Sequence, residues 1–287
     1  MIPGPLVSER WLAEHLAEPD IVVLDATVHL DPPSAPDEPY DVRSGRPGWE
    51  HAHVPGSRFA DLADGLSDPE APYPFTLPSP ERFGEGIARL GVGDDTLVVA
   101  YDRDVGMWAA RLWWMLRVFG HDRTAVLDGG LDAWSAGGHP LTADPTPARR
   151  SARFTPHLRR ELVAGRDEVL AALDDPSVLL VNALSPELHR GEQRRYGRTG
   201  RIPGSVNVPA RSLLRSDGRF KSATALREDL RDSGALEADR VIAYCGGGIS
   251  AANDVLALAL LGRNDVAIYD GSLREWVADP ECPLETG

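Results

Sequence analysis

The fold and the chemistry of this chain are decided by one run of sequence, Val241-Ile242-Ala243-Tyr244-Cys245-Gly246-Gly247-Gly248-Ile249-Ser250-Ala251. The residues before Cys245 form a continuous apolar run, which is typical of a parallel strand covered on both faces. From about Ser250 the apolar residues recur at helical spacing as far as Gly262. The sequence therefore predicts that Cys245 stands at the carboxyl end of a buried strand and that a glycine-rich loop leads from it into a helix.

The predicted loop after Cys245 favours an anion. Consecutive glycines let the backbone take positive φ and curl tightly, so that successive N–H groups can point at one spot. The helix that follows adds unpaired N–H groups and the positive end of its dipole, and a thiol in such surroundings ionises easily. We expect a thiolate or persulfide of Cys245 to be held by the loop residues Gly246, Gly247, Gly248, Ile249 and Ser250. By itself, the pattern also fits an inert buried thiol beside a simple turn.

Composition limits the possible classes of function. At 287 residues the chain exceeds the size at which one hydrophobic core keeps growing, so two domains are expected. The net charge of −14 argues against nucleic acid and anionic membranes as partners, and it means that any anion site needs local cations. Two cysteines, Cys245 and Cys282, are too few for a disulfide framework or a cysteine-rich metal site.

Other features of the sequence indicate a protein without a metal, a cofactor or a membrane segment. His51 and His53 lack further ligands at metal-binding spacing. The first residues lack the pattern of a signal peptide, and no apolar run approaches the ~18 residues of a membrane span. We therefore expect a soluble, cytoplasmic protein that needs no cofactor.

The chain also contains an internal repeat. The matches occur in the same order and at nearly constant offset: Pro55-Gly56 with Pro203-Gly204, Tyr101-Asp102 with Tyr244-Cys245, and Trp134 with Trp276. Such a series indicates a tandem duplication. The first copy has Asp102 in place of the cysteine and has lost the run of glycines, so it is expected to be a scaffold. Strands and helices alternate in each half, which predicts an α/β fold with a largely parallel sheet.

The composition changes between the two copies. Residues 141–153 contain prolines, small residues and charges without periodicity, as expected of a linker. The sequence thus predicts a first, inactive domain at residues 1–140 and a second, catalytic domain at residues 154–287. Ligands of parallel α/β sheets lie beyond the carboxyl ends of the strands, which is where Cys245 is expected.

Taken together, these marks resemble the two-domain rhodanese family of sulfurtransferases over almost the whole chain. The first half resembles the family's inactive domain in Leu24-Asp25-Ala26, His53-Val54-Pro55-Gly56 and Leu127-Asp128-Gly129-Gly130. The second half resembles its catalytic domain in Arg201-Ile202-Pro203-Gly204-Ser205, Tyr244 to Ser250 and Tyr269-Asp270-Gly271-Ser272. The resemblance implies two tandem rhodanese-like domains, each a mostly parallel sheet flanked by helices. It also implies a ping-pong reaction, in which Cys245 takes a sulfane sulfur from a small donor, becomes a persulfide, and passes the sulfur to cyanide or a thiol.

The resemblance leaves the donor open between thiosulfate and 3-mercaptopyruvate. Family members built for the thiosulfate dianion carry basic residues inside the loop, whereas this loop has none and looks closer to the Cys-Gly-x-Gly loop of mercaptopyruvate sulfurtransferases. In those proteins, arginines outside the loop hold the donor carboxylate, since a guanidinium pairs well with a planar carboxylate. Arg194 falls where the family's carboxylate-binding arginine would lie, and further candidates are Arg190, Arg195 and Arg198.

The resemblance also implies supporting residues from the first domain, which would fall on His53 and Asp41. A structural role for His53 in its own Pro-Gly turn is the other interpretation. In the second half, Asn182 and Arg201 stand where the family usually has aspartate and histidine. These replacements leave open that the protein is a non-enzymatic persulfide carrier or regulatory module. A cysteine phosphatase is disfavoured, since that class needs an arginine at the position of Ala251 to hold phosphate.

Overall fold

The computed structural model describes residues 2–34, 39–147 and 152–287, so residues 148–151 of the predicted linker lie outside the described residues. The chain divides into two compact units. The first comprises Met1–His29, Val42–Arg159 and Arg215–Phe220, and the second comprises Leu30–Asp41, Arg160–Leu214 and Lys221–Gly287. The second unit therefore includes a short segment from the first half of the sequence.

The first unit is built on a five-stranded sheet whose neighbouring strands run parallel. The strands in the first half of the chain are β1 (Leu6–Val7), β2 (Ile21–Asp25), β3 (Val28–Asp31), β4 (Asp41–Ser44), β5 (Arg58–Phe59), β6 (Leu97–Tyr101) and β7 (Thr124–Leu127). The large sheet has the order β1-β7-β6-β2-β5, and β3 and β4 lie outside it. Strands β2, β6 and β7 are buried at every position, because helices cover both faces of such a sheet.

Five helices occur in the described residues of the first half. They are α1 (Glu9–His15), α2 (Arg46–His51), α3 (Pro80–Arg89), α4 (Met107–Val118) and α5 (Gly130–Ala136). Helix α3 begins at a serine cap, where Ser79 accepts the N–H of Arg82 and a proline occupies the first turn. Helix α4 is buried from Trp108 to Val118, as expected of a helix that is apolar nearly all round.

The second unit repeats this arrangement. Its strands are β8 (Val163–Ala164), β9 (Val178–Asn182), β10 (Val206–Asn207), β11 (Arg240–Tyr244) and β12 (Ala267–Tyr269). Its helices are α6 (Arg166–Ala172), α7 (Pro186–His189), α8 (Ala223–Arg231), α9 (Ala251–Leu260) and α10 (Ser272–Ala278). The sheet order β10-β9-β11-β12-β8 is that of the first unit written from the other edge, and its pairs are parallel. The predicted α/β fold and tandem duplication are confirmed.

Within residues 2–34, 39–147 and 152–287, no helix is both long enough and apolar enough to cross a membrane.

A buried tyrosine at the end of each central strand holds the Pro-Gly turn that recurs in the sequence. In the second unit, the hydroxyl of Tyr244 accepts the N–H of Ile202 (3.1 Å) and bonds the hydroxyl of Ser205 (2.7 Å). In the first unit, Tyr101 takes the same place and bonds the equivalent residues Val54 and Ser57. The turn is thereby fixed beside the carboxyl end of the sheet, where the ligand of a parallel α/β sheet is expected.

Replacing Tyr244 by phenylalanine tests this arrangement. The amide of Asn182 also donates to the Tyr244 hydroxyl (2.9 Å), so Tyr244→Phe leaves buried donors without an acceptor. We expect the free energy of unfolding, measured by urea denaturation, to fall by about 2–4 kcal/mol. Tyr73→Phe is the control, because within the described residues the Tyr73 hydroxyl has no hydrogen-bond partner. Equal effects of the two substitutions would contradict the role of Tyr244.

Candidate active site

Cys245 stands at the carboxyl end of the central strand of the second unit. Strand β11 ends at Tyr244 and helix α9 begins at Ala251, as the sequence predicts. Strand β11 lies between β9 and β12, so the ends of parallel strands flank the loop on both sides. Cys245 is a free cysteine and only 2% exposed. The structure therefore places a thiol in an enclosed position where parallel α/β sheets bind their ligands.

Two of the loop glycines do not have positive φ, and one of these, Gly246, is required for space, which corrects the expectation from sequence. Gly248 takes a φ of +74°, whereas Gly246 and Gly247 do not have positive φ. A Cβ at Gly246 would overlap the phenol of Tyr196, and a Cβ at Gly247 would lie 3.4 Å from the hydroxyl of Tyr40. Two tyrosines thus pack directly on the loop, and glycine is what allows the close approach at Gly246.

Ser272 anchors the loop from the start of α10. Its hydroxyl oxygen accepts the N–H of Cys245 (3.1 Å) and the N–H of Gly248 (3.0 Å). The same hydroxyl donates to the carbonyl of Tyr269 (2.8 Å) at the end of β12. Ser272 is fully buried, so each of these bonds replaces one that water cannot supply. The side chain of Ser272 therefore fixes the backbone of Cys245.

Ser272 reaches this position at a conformational cost. Its φ is +50°, in the left-handed region that non-glycine residues rarely occupy. The matching residue of the first unit is Gly130, with a φ of +56°. A Cβ at Gly130 would overlap the carbonyl oxygen of Asp102. At the position that contacts the loop, the second unit thus has a serine with a strained φ where the first unit has a glycine.

The next two residues of α10 donate backbone hydrogen bonds to carbonyl groups of the loop. The N–H of Leu273 donates to the carbonyl of Cys245 (3.1 Å), and the N–H of Arg274 donates to that of Gly246 (2.9 Å). Within the described part of the chain, no protein acceptor receives the N–H groups of three loop residues, Gly246, Gly247 and Ile249. These three N–H groups can therefore donate to a ligand.

The matching loop of the first unit already contains an anion. Asp102 follows β6 as Cys245 follows β11, and its carboxylate accepts four backbone N–H groups from the loop and the start of α4. Burial raises the pKa of Asp102 to about 6, and the N–H bonds oppose that rise. The carboxylate is therefore mostly ionised at neutral pH. A negative charge is thus accommodated at the position of the first unit that corresponds to Cys245.

Two tyrosines and two arginines of the second unit gather at the loop. The guanidinium carbons of Arg274 and Arg195 lie 5.6 and 6.0 Å from the centre of the Tyr40 ring, and Arg274 bonds the Tyr40 hydroxyl. Burial raises the pKa of Tyr40 and of Tyr196, and the negative charge of a Cys245 thiolate raises both further. Both phenols therefore stay neutral at physiological pH.

The predicted arginine segment is only partly brought to this cluster. Arg195 lies beside Tyr40, as described above. Arg190 forms an exposed ion pair with Glu192 (2.6 and 3.0 Å). Arg194 is exposed, and like Arg190 it forms no hydrogen bond, ion pair or ring contact with the Cys245 loop within the described residues. Arg198 donates to the backbone carbonyls of Asp279 and Cys282.

His53 and Asp41, predicted as possible support, have local partners. The His53 ring is buried and stacks on Trp49, with ring centres 4.5 Å apart, and its Nδ1 lies 2.7 Å from the Trp49 carbonyl oxygen. These contacts fit the structural role in the Pro-Gly turn. Asp41 belongs to the second unit, and its carboxylate accepts from the N–H and the hydroxyl of Ser34. A role of either residue in donor binding stays a prediction.

The residues that depart from the family pattern have clear local roles. Asn182 donates to the Tyr244 hydroxyl and accepts the N–H of Leu184 (2.8 Å), so it ties the end of β9 to the central strand. Arg201 forms an ion pair with Glu285 (2.5 Å). Burial raises the pKa of the Cys282 thiol, which keeps it protonated.

Four residues of the site were not predicted from sequence: Tyr40, Tyr196, Ser272 and Arg274. For Ser272 a signal was present, because Asp270-Gly271-Ser272 repeats Asp128-Gly129-Gly130 with a serine in place of the last glycine. Where a serine replaces the glycine of a turn, its side chain is expected to have a specific structural or functional role. Tyr40 carries no such signal, because it lies far from the loop in sequence.

The similarity to known proteins agrees with this geometry. Residues 8–137 and 166–279 match the rhodanese-like domain family. Thiosulfate sulfurtransferase of Rattus norvegicus is 37% identical, in an alignment that covers 98% of this chain and 95% of the rat protein. The 3-mercaptopyruvate sulfurtransferase of Homo sapiens is 35% identical, with coverage of 98% and 95%. The crystal structure of SseA, a 3-mercaptopyruvate sulfotransferase from Escherichia coli, is 32% identical with a TM-score of 0.79, and the match covers 94% of this chain and 98% of SseA.

The family is thereby established. The chain belongs to the rhodanese-like family and carries two such domains in tandem, which confirms the resemblance seen in the sequence.

Two substitutions of Ser272 separate its hydrogen bonds from its strain. Ser272→Ala keeps the positive φ and removes the acceptor of two buried N–H groups, so we expect a loss of about 2–4 kcal/mol in the free energy of unfolding. Ser272→Gly loses the same acceptor but relieves strain of about 1–3 kcal/mol. It should therefore be the less destabilising change in urea denaturation, even after the entropic cost of glycine. A glycine variant less stable than the alanine variant would contradict the strain, and two neutral variants would contradict the anchor.

Proposed function

We propose that the protein is a sulfurtransferase in which Cys245 carries a sulfane sulfur from a small anionic donor to cyanide or a thiol acceptor. The observation that carries the proposal is the enclosed free thiol in a loop with three N–H groups that have no acceptor in the described part of the chain. Its counterpart in the first unit, Asp102, accepts four such N–H groups, which supports the anion-binding character of this loop. The names of the similar proteins, which are thiosulfate and 3-mercaptopyruvate sulfurtransferases, support the same reaction.

The reaction has two displacements at sulfur. In the first, the Cys245 thiolate attacks the transferable sulfur of the donor and forms an S–S bond. The bond between that sulfur and the rest of the donor breaks, and its electron pair leaves with sulfite from thiosulfate or with the enolate of pyruvate from 3-mercaptopyruvate. The enolate then takes up a proton. In the second displacement, the acceptor attacks the outer sulfur and the Cys245 thiolate leaves.

The residues around Cys245 support both displacements. The N–H groups of Gly246, Gly247 and Ile249 stabilise negative charge on the cysteine or on the persulfide. Burial of the thiol keeps water from the reacting sulfur, which strengthens these interactions. The hydrogen bonds of Ser272 hold the loop in this form before the donor binds, so little reorganisation is needed.

Donor recognition by the arginine segment remains part of the proposal. Of the four arginines predicted for it, Arg195 has the contact with Tyr40 that supports a role near the loop. Arg190 and Arg194 rest on the sequence argument alone, and Arg198 donates to the carbonyls of Asp279 and Cys282. The cytoplasmic location likewise stays a prediction.

A Cys245→Ser substitution tests the central claim. After treatment with thiosulfate or 3-mercaptopyruvate, intact-mass measurement of the unsubstituted protein should show a gain of about 32 Da, one sulfur atom. The Cys245→Ser protein should show no gain, whereas Cys282→Ser should gain the sulfur normally. A gain that persists in Cys245→Ser would contradict the proposal.

Turnover then distinguishes an enzyme from a carrier. The unsubstituted protein should form thiocyanate steadily when a donor and cyanide are supplied together. A mass gain without steady thiocyanate formation with either donor would favour the alternative of a non-enzymatic persulfide carrier.

A further inference from the structure

We propose that the hydroxyl of Tyr40 donates a proton to the leaving group when 3-mercaptopyruvate is the sulfur donor. The substrate class is a thiol whose sulfur is bound to a carbon next to a carbonyl group. The inference rests on the sulfurtransferase function proposed above and assigns a general acid to its first displacement.

The two candidate donors differ in their need for a proton. When the Cys245 thiolate takes the outer sulfur of thiosulfate, an S–S bond breaks and sulfite leaves with the electron pair. With 3-mercaptopyruvate a C–S bond breaks, and the electron pair leaves on an enolate, which must gain a proton to become pyruvate. A group that protonates the enolate as it forms therefore accelerates sulfur transfer from 3-mercaptopyruvate alone.

The Tyr40 hydroxyl lies beside an open space at the loop. A Cβ built on Gly247, two residues after Cys245, would lie 3.4 Å from the Tyr40 oxygen. Apart from the neighbours of Gly247 in the chain, no other atom of the described residues comes within 4 Å of that Cβ. The charge of a Cys245 thiolate acts on Tyr40. The hydroxyl thus borders a space beside the loop, close to the reacting sulfur.

The hydrogen bond with Arg274 leaves the proton of Tyr40 available. A guanidinium has donors but no acceptor, so in this bond the phenol oxygen accepts. Within the described residues, no acceptor receives the O–H of Tyr40. The same bond with Arg274 stabilises the phenolate that remains once the proton has moved.

Tyr40 is also suited to the role of an acid by its surroundings. The charges that act on it are those of Arg274, Cys245 and Arg195. An arginine does not release its proton in a protein, and Cys245 must be a thiolate in order to attack. Burial raises the pKa of Tyr40, so the phenol keeps its proton at neutral pH until a strong base such as an enolate forms beside it.

The protons and electrons of the first displacement balance without an oxidant or a reductant. The Cys245 sulfur bonds the donor sulfur while the C–S bond of the donor breaks. The Tyr40 proton moves to the methylene carbon of the enolate, and pyruvate leaves. The phenolate then recovers a proton from the S–H of the new persulfide, because an S–H group is more acidic than a phenol.

Tyr40→Phe tests the assignment through the two donors. We expect kcat/KM for 3-mercaptopyruvate to fall by about 10²- to 10⁴-fold, the usual contribution of general acid catalysis. The values for thiosulfate, and for cyanide with thiosulfate as the donor, should stay within about threefold, because neither displacement then releases an enolate. Retained transfer from thiosulfate also shows that the variant is folded.

Matched variants make the result specific. Tyr196→Phe removes the other phenol hydroxyl at the loop, which forms no hydrogen bond within the described residues. It should change kcat/KM for both donors by the same factor. Tyr73→Phe, in the first unit, should change neither value. Arg274→Gln should lower the value for 3-mercaptopyruvate less in the Tyr40→Phe protein than in the unsubstituted one, since no phenolate is left to stabilise.

The outcomes separate this inference from the proposed function. Equal losses with both donors in Tyr40→Phe would overturn the proton donor, because a displaced loop slows every transfer, and unchanged values would overturn it as well. The same selective loss in Tyr196→Phe would also contradict the choice of Tyr40. An unsubstituted protein that uses thiosulfate but not 3-mercaptopyruvate would overturn the inference and leave the sulfurtransferase intact. Failure with both donors would overturn the proposed function itself.

Discussion

The structure depends on one constraint, which is that the N–H groups released at the end of each central strand must find acceptors. A glycine-containing turn that leads from a buried strand into a helix directs several of these groups inward, where water cannot reach them. In the first unit, the carboxylate of Asp102 accepts four of them. In the second unit, the hydroxyl of Ser272 accepts two, from Cys245 and Gly248. The remaining donors define what the second unit can bind.

The need for acceptors connects two positions at which the units differ. Asp102 of the first unit corresponds to Cys245, and Gly130 corresponds to Ser272. A carboxylate supplies enough acceptor capacity alone, so the first unit has Gly130 where the second has Ser272, and a side chain there would overlap the carbonyl oxygen of Asp102. A cysteine sulfur is a weak acceptor as a thiol, so the second unit needs an additional oxygen. Ser272 supplies it at the cost of a strained φ of +50°. Strain of this kind persists where the surrounding structure enforces it, which is common at active sites.

Sequence reasoning could predict the frame because its signals are local. The apolar run before Cys245, the glycines after it and the repeat of the series each depend on neighbours in the chain, and they predicted the strand, the loop and the duplicated α/β fold. The reason for the glycines was only partly predictable. Positive φ applies to Gly248, whereas Gly246 is required by the approach of Tyr196, a contact between residues 50 positions apart that no periodicity reveals. Long-range side-chain packing therefore marks the limit of what the sequence alone could predict.

Tyr40 shows the same limit with a larger consequence. It lies in the first half of the sequence, within the segment Leu30–Asp41 that belongs to the second unit. A division of the chain at the proline-rich residues 141–153 assigns this tyrosine to the first domain, although its hydroxyl lies beside Gly247 in the loop that follows Cys245. In the first unit, the N–H groups of the turn are thus accepted by a side chain of the turn itself. In the second unit, the thiol is enclosed partly by a segment from the first half of the sequence. Residues 154–287 expressed alone would lack the Tyr40 ring that contacts Arg274, so the first half of the sequence is needed for the composition of the site.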